Sequence, residues 1–345
     1  MKQSQHSLLK TIFQALKQKT RISKFSLTVF LLLSVTLGSG QNSTLTFVPQ
    51  YLPQAQFAGY YAALDQGFYE KLGLTVRLIH PSGGESAMKL LKEGKTDIIS
   101  SFLIDGLTEH VLNDVPLINI AQLSQHSSMM FVTKEKSGID SISELDQKKV
   151  AIWSSGFDKL PRAILKAKGV EVEFVPIYNT INLFLEEGVD AMTVMYYNEY
   201  DQIINSGVNE GELNTFFFSD VKGFDIPEDG LYCLEDTYHA RKEELKKFVE
   251  ATLQGWDYVA QNKEYALDLV VDKMNEAHLA NNRAHQRWML NQVLDLLSPK
   301  EKDIKEGHLL EADFRQALDI LQSNLEAGAE MPGIKFEEFY KPLAD

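Results

Sequence analysis

Residues 43–80 read STLTFVPQYLPQAQFAGYYAALDQGFYEKLGLTVRLIH. Two β-rich runs, 43–49 and 74–80, flank a stretch dense in alanine and aromatic residues. The second run alternates apolar and polar residues, the pattern of a strand with one buried face. Between the runs, 55–71 has the composition of a helix, and Gly73 supplies its stop. Strand, helix and strand in so short a span make the unit of a parallel sheet covered by helices. The stretch also holds Tyr51, Phe57, Tyr60, Tyr61, Phe68 and Tyr69. A helix buried on one face does not need so much polar-tipped aromatic surface, which raises the question of what it holds.

The alternation continues downstream. ESAMKLLKEG (85–94) reads as a helix closed by Gly94, TDIISSF (96–102) as a strand, IDGLTEHVLND as a helix and PLINIAQLS (116–124) as a strand. The pattern then restarts. SMMFVTKE (128–135), VAIW (150–153), VEVEFVPI (170–177) and DAMTVMY (190–196) read as strands. Between them lie SISELDQKK (141–149) with a serine cap signal, a helix over 157–168, and the helical INLFLEEG. DGLYCLEDTYHA (229–240) brings the chain back as a strand, and 241–262, 263–276, 281–296 and 311–326 read as helices. The expected fold class is α/β: two units, the second over about 128–225, with a helical C-terminal part.

The chain has 345 residues, 44% of them hydrophobic, enough for more than one globular unit. Its formal net charge of −14 repels phosphate backbones, so no nucleic-acid partner is expected. Residues 1–40 carry six basic residues and no acid; the first acid is Asp65. Without those six of the 34 basic residues, 28 stand against 48 acids, a net of −20. The basic region ends at Lys24, and FSLTVFLLLSVTL (25–37) follows. That run has the length of a signal-peptide core and is shorter than the ~20 residues of a membrane span. Gly38 and Gly40 suit a signal peptidase. A signal peptide over 1–40 and an extracytoplasmic, periplasmic location are expected, with a retained N-terminal anchor as the alternative. No cysteine follows the run, so the lipoprotein pattern is absent. The one cysteine, Cys233, cannot form an intrachain disulfide and reads as a buried thiol.

Ligands of open parallel sheets sit outside the carboxyl ends of the strands. The candidates are therefore Gln50 and Tyr51, 81–84, Ser100–Phe102, 153–156 and Tyr196–Glu199. These positions are rich in aromatic, hydroxyl and amide groups. They suit the holding of a flat polar ligand more than chemistry upon it. MYYNEYD (195–201) is the most site-like: the Glu199 carboxylate can accept from ring N–H or amine groups, and tyrosines can stack. Each stacked ring is worth ~0.5–1.5 kcal/mol beyond area burial. The other reading of Glu199 is a carboxylate favoured by a helix N-terminus. PSGGES (81–86) is either a plain strand-to-helix turn or a set of N–H groups for an anion. No nucleophile elbow, Walker loop, dinucleotide fingerprint or zinc-protease motif occurs. Ser86-Ala87-Met88-Lys89 matches S-x-x-K without its companion motifs. His278 and His285, seven apart on a helical stretch, read as solvated side chains rather than metal ligands. No metal and no cofactor are expected.

YLPQAQFAGYYAALDQGFYEKLGLTV (51–76), LLKEGKTDI (90–98), YYNEY (196–200) and FVEATLQGWDYVAQNKEYALDLV (248–270) together resemble the periplasmic substrate-binding proteins of ABC importers, over about residues 44–275. The nearest group includes binders of the pyrimidine precursors of thiamine; sulfonate- and nitrate-binding proteins are more distant. The resemblance implies a type II two-lobed fold with parallel-rich sheets and a two-strand hinge. The hinge would cross near Gln125–Met130 and return near Asp225–Leu231. Lobe 1 would comprise 41–126 and 229–345, completed by the C-terminal helices, and lobe 2 would comprise 127–228. The resemblance also implies that Tyr51, where tryptophan is common, packs on the ligand ring, and that Glu199 meets the amino edge of a pyrimidine.

The expected site then takes apolar faces from Tyr51, Phe57 and Trp153 and polar groups from Gln56, Ser101, Asp105, Asn198 and Glu199. Tyr60, Tyr196 and Tyr197 join it, while Tyr61, Phe68 and Tyr69 are left to anchor the helix. A pyrimidine synthase of the same family carries a Lys-x-x-x-His pair and a cysteine cluster. The pair falls here on Ser101 and Asp105, and the cluster is absent. The family's glycine-rich phosphate loop is matched only in part by WSSGFDK (153–159). The expectation is a monomeric, non-enzymatic solute-binding protein with a small-molecule ligand and an ABC permease as partners. Its expected ligand is a small heteroaromatic compound, formylaminopyrimidine or hydroxymethylpyrimidine. The alternatives are a synthase-like enzyme, a ligand-sensing module, and a riboflavin-like or sulfonate ligand.

Overall fold

The computed structural model of the chain describes residues 44–345, apart from positions 83, 154–156, 179, 300–304, 327 and 345. The expected signal over 1–40, Gly83 of the 81–86 turn and residues 154–156 of the partial phosphate loop lie outside the described residues. The strands are β1 (Thr44–Val48), β2 (Thr75–Leu78), β3 (Ile98–Phe102), β4 (Leu117–Gln122) and β5 (Met129–Lys134). They continue with β6 (Lys149–Trp153), β7 (Glu173–Ile177), β8 (Ala191–Met195), β9 (Leu213–Phe217) and β10 (Asp229–Leu234). Two five-stranded sheets result, in the orders β2-β1-β3-β10-β4 and β7-β6-β8-β5-β9.

One plan is used twice. In the first sheet β1 lies parallel between β2 and β3, and β10 runs antiparallel between β3 and β4. In the second, β6 lies parallel between β7 and β8, and β5 runs antiparallel between β8 and β9. Alternation of strands and helices implied parallel sheets; both are mixed, because a reversing strand enters each. The chain leaves the first sheet after β4 and returns to it at β10. The two crossing segments are bonded together: Ser127 N donates to Asp225 Oδ1 at 2.9 Å and Ser128 N to Glu228 Oε1 at 2.6 Å.

The helices used below are α1 (Ala58–Asp65), α2 (Phe68–Lys71), α3 (Ala87–Lys92), α4 (Leu103–Leu112), α5 (Lys159–Lys168) and α6 (Asn182–Leu185). The rest are α7 (Asp201–Asn205), α8 (Glu235–Gln261), α9 (Lys263–Glu276), α10 (Arg283–Leu296), α11 (Glu311–Asn324) and α12 (Phe336–Phe339). The helix expected over 55–71 is interrupted. A 3-10 turn at Ala55–Phe57 precedes α1, and Gly67, with φ of 66°, separates α1 from α2. The strand expected over 229–240 stops at Leu234, because Glu235 and Asp236 open α8, where carboxylates suit the helix N-terminus. Over 141–149 only a 3-10 turn forms, and Ser141 makes no side-chain cap. Among the described helices none is long and apolar enough to cross a membrane.

Two glycines set the close approach of α1 and α8. A Cβ on Gly59 would lie 2.3 Å from the Trp256 ring, and one on Gly255 would lie 2.2 Å from Gly59 O. Only hydrogen fits at either place. Around them Phe47 meets Tyr60 at 4.6 Å between ring centroids, Tyr60 meets Trp256 at 6.1 Å, and Tyr69 stacks on Phe248 at 5.2 Å. This rigid seat fixes the segment just before α1, which carries Gln54 and Gln56. Cys233 is fully buried in β10, and burial pushes its thiol up to about 12.

Candidate functional site

The carboxyl ends of β1, β3, β6 and β8 open on one cavity of about 450 Å³. Its walls come from both sheets: Gln50, Tyr51 and Gln56 after β1; Ser100–Phe102 and Asp105 where β3 enters α4; Trp153 and Phe157 after β6; and Met195 with Tyr197–Glu199 after β8. That size falls in the range of small-molecule sites.

On the first-sheet side, Gln50 N donates to Ser100 Oγ at 3.0 Å. The Gln50 and Gln56 side-chain amides both donate to Asp229, at 2.6 and 2.9 Å. Burial pushes Asp229 up to about 6, and the two amides pull against it. With its nitrogen held by Asp229, Gln50 leaves Oε1 buried without a hydrogen-bond partner. Across the cavity, Trp153 Nε1 is likewise buried and unpartnered. Each such group costs ~1–3 kcal/mol if it stays unpaired.

Tyr51 is held through its backbone. His80 Nδ1 lies 2.6 Å from Tyr51 O, and His80 Nε2 lies 2.8 Å from the Tyr61 hydroxyl. Burial pushes His80 down to about 4, which leaves a neutral ring at physiological pH. Nδ1–H then donates to the Tyr51 carbonyl, and Nε2 accepts from Tyr61.

On the second-sheet side, Tyr196–Tyr200 wind as one π-helical turn at the end of β8. Such turns are rare and gather at functional sites. The wide turn brings the Glu199 carboxylate back onto its own strand: Met195 N donates to Oε2 at 2.8 Å, and Asn198 Nδ2 donates to Oε1 at 2.7 Å. Burial pushes Glu199 up to about 7, with the Met195 amide, its own amide and Asn198 pulling the other way. Glu199 is thus 6% exposed, in the first turn of the π-helix, and bonded to neutral groups. Near neutral pH it can serve as acceptor or, protonated, as donor.

Contacts among the described residues bridge the walls. Lys159 Nζ lies 2.7 Å from Asp105 Oδ1, and the Phe102 and Phe157 rings meet edge to face at 5.2 Å. Among the described residues, the Asp, Glu, Lys and Arg side chains lining the cavity are Asp105, Glu109, Glu199 and Lys159. Lys92 pairs with Glu109 at 2.9 Å, and Lys159 faces Asp105.

The structure brings Tyr51, Gln56, Ser101, Asp105, Trp153, Tyr197, Asn198 and Glu199 to this cavity. Phe57, Tyr60 and Tyr196 are not on its wall. Phe57 and Tyr60 are core residues, 0% and 1% exposed, and Tyr196 packs against Tyr200, Phe217 and Trp288. Gln54, Phe157, Lys159, Glu109 and the supporting Asp229 escaped the sequence reading. Lys159 ends the WSSGFDK stretch and Asp229 opens β10, so their places were visible but their partners were not. His285 also departs from its expectation as a solvated side chain: it is 12% exposed and bonded to Asp201.

Residues 54–266 match the family described as NMT1/THI5 like. A putative thiamine biosynthesis protein of Haemophilus influenzae is 27% identical over 315 residues, 89% of this chain and 96% of that protein. The riboflavin-binding protein RibY of Chloroflexus aurantiacus is 24% identical over 260 residues, 72% of each chain. The formylaminopyrimidine-binding protein of Halalkalibacterium halodurans is 21% identical over 247 residues, 68% of this chain and 72% of that one. Among solved structures, the periplasmic aliphatic sulphonate binding protein of Escherichia coli superposes with a TM-score of 0.59 at 14% identity, over 74% of this chain and 84% of that one. That likeness shows the fold, the two-lobed α/β architecture of periplasmic binding proteins. The family match spans well over half of the sequence, and the chain belongs to the NMT1/THI5-like family.

Proposed function

We propose that the chain is the solute-binding component of an ABC importer and that its cavity takes an aminopyrimidine of the kind that precedes thiamine. The observation that carries this is Glu199: a buried carboxyl group, raised to about 7, facing a cavity with neutral donors as its only bonded neighbours. An aminopyrimidine presents an amine donor beside a ring-nitrogen acceptor. A carboxyl group that shares one proton with that edge satisfies both. Tyr51 and Trp153 supply ring faces. The excess of carboxylates among the lining charges weighs against a sulfonate or a phosphorylated ligand.

Lobe 1 comprises 41–126 and 229–345, lobe 2 comprises 127–228, and the paired crossing segments are the hinge. Contacts from both lobes stabilise the closed state, which the permease reads. The protein acts outside the cytoplasm as a monomer, after removal of 1–40, and performs no chemistry on its ligand. A second ligand, a flavin-sized ring, is favoured by the 450 Å³ cavity and by the riboflavin-binding relative.

Thermal unfolding with added ligand tests the proposal. A ligand at one hundred times its Kd adds about 2.7 kcal/mol and raises Tm by on the order of 5 °C. Formylaminopyrimidine or hydroxymethylpyrimidine is expected to do so. A shift with riboflavin alone selects the second ligand, and a shift with alkanesulfonates alone overturns both.

A further inference from the structure

Helix α10 contacts the segments that carry both walls of the cavity. Gln286 Oε1 accepts from Ala55 N at 2.8 Å, beside Gln54 and Gln56. Trp288 Nε1 donates to Tyr196 O at 3.0 Å, on the π-turn. Between them, His285 Nδ1 lies 2.7 Å from Asp201 Oδ2, and His285 Nε2 lies 3.2 Å from Asn198 Oδ1. The orientation of the Asn198 amide follows from its other contacts. Its Nδ2 donates to Glu199 Oε1 at 2.7 Å, and its Oδ1 accepts from Gln202 Nε2 at 2.8 Å. Both atoms that face His285 are therefore acceptors. The two bonds coexist only when both ring nitrogens carry hydrogen. A ring with hydrogen on Nδ1 alone turns a lone pair on Asn198 Oδ1. Gln202 Nε2 alone then holds the amide oxygen against that repulsion.

We propose that His285 is a positioning residue for Glu199, acting through Asn198: its Nε2–H holds the amide so that the carboxylate keeps one donor and faces the cavity. As a statement about ligand affinity this rests on the aminopyrimidine reading; as a statement about Glu199 it does not. The charges around the ring are few. Asp201, and Glu199 behind Asn198, face it from the π-turn and α7. From α9, Glu264 and Asp268 are bonded to Arg283 and Arg287 of α10. The 55–57 turn carries no ionisable side chain.

The test follows the Glu199 carboxyl carbon by NMR in ligand-free protein across neutral pH, with the signal assigned by its loss in Glu199→Gln. In His285→Ala the titration midpoint moves up, because Asn198 Oδ1 loses one of its two donors and the amide is held less firmly against the carboxylate. Asn198→Ala moves it the same way with His285 in place. His285→Gln, an uncharged donor, returns it toward the parent value. If His285→Gln stays as displaced as His285→Ala, the ring acts by charge alone and the proposal is wrong. It is also wrong if neither variant moves the midpoint. In parallel, His285→Ala weakens formylaminopyrimidine binding about fivefold, and the loss disappears in a Glu199→Gln background. If formylaminopyrimidine does not bind the parent protein but the midpoints move as stated, the ligand reading fails and the positioning role stands. If it binds and His285→Ala changes neither affinity nor midpoint, the positioning role fails alone.

Discussion

After β3 the chain enters an ordinary α-helix and sets Asp105 in its first turn; after β8 it winds a π-turn and sets Glu199 there. The two places are equivalent in the two sheets, since β3 and β8 each lie between a parallel and an antiparallel neighbour. Both acids reach the same cavity. Asp105 meets Lys159 from the opposite wall at 2.7 Å. Glu199 is bonded within its own turn, through Met195 N, its own N–H and Asn198 Nδ2. Burial pushes both carboxyl groups up, but Lys159 pulls Asp105 back, while the groups that pull Glu199 back are neutral donors. One topological position thus serves two ends: Asp105 ties the walls together, and Glu199 keeps capacity for an occupant.

The largest expected effect sets the two acids against each other. Glu199→Gln is expected to weaken aminopyrimidine binding by about 100-fold, the loss of a bond to a charged or proton-sharing group. Asp105→Asn should stay within about threefold by the same calorimetric titration. Equal losses would erase the distinction, and a larger loss at Asp105 would invert it.

The pH dependence of binding is next in size. The Glu199–aminopyrimidine pair holds one proton, on either partner. Affinity is therefore greatest below about 7 and falls as pH rises through it, by up to about tenfold per pH unit. Glu199→Gln should flatten the profile, and Asp105→Asn should not.

Glu228 separates burial from ligand binding. It accepts from Ser128 N and Oγ at the crossing segments, and burial pushes it up to about 8 from an ordinary 4.5. Between those values the folded chain keeps a proton that the unfolded chain has released. Stability is then fully present at low pH and is lost as pH rises toward 8, on the order of 1 kcal/mol per pH unit. Glu228→Gln should flatten the pH profile of Tm and leave ligand affinity alone. A change in affinity would make the crossing segments part of the site.

The smallest effect is the bridge itself. Lys159 and Asp105 side chains are 20% and 27% exposed, so Lys159→Ala is expected to cost less than about 1 kcal/mol in thermal unfolding.

Much of this comparison was legible in the sequence. The strand runs before Gln50, Ser101, Trp153 and Tyr196 marked the four carboxyl ends that meet at the cavity, because alternation and post-strand position are local signals. β9 was not legible: its residues are mostly half-buried, and it pairs only with β5 at a sheet edge, so no alternation marks it. The mixed character of the sheets was hidden for a related reason, since β10 inserts between β3 and β4 from more than a hundred residues away. Phe57 and Tyr60 illustrate the limit for side chains. Their spacing beside Gln56 gives no sign that the 3-10 turn sends the glutamine to the cavity and the two rings to the core. His285 lay beyond reach altogether, because its partners are 84 and 87 residues distant in sequence.

The most direct measurement is a crystal structure of the chain with formylaminopyrimidine bound. The account expects the ring in the cavity between Tyr51 and Trp153, with its amino nitrogen ~2.7–3.0 Å from the Glu199 carboxyl group. A ring whose amino edge lies on Asp105, or that sits outside this cavity, would contradict it.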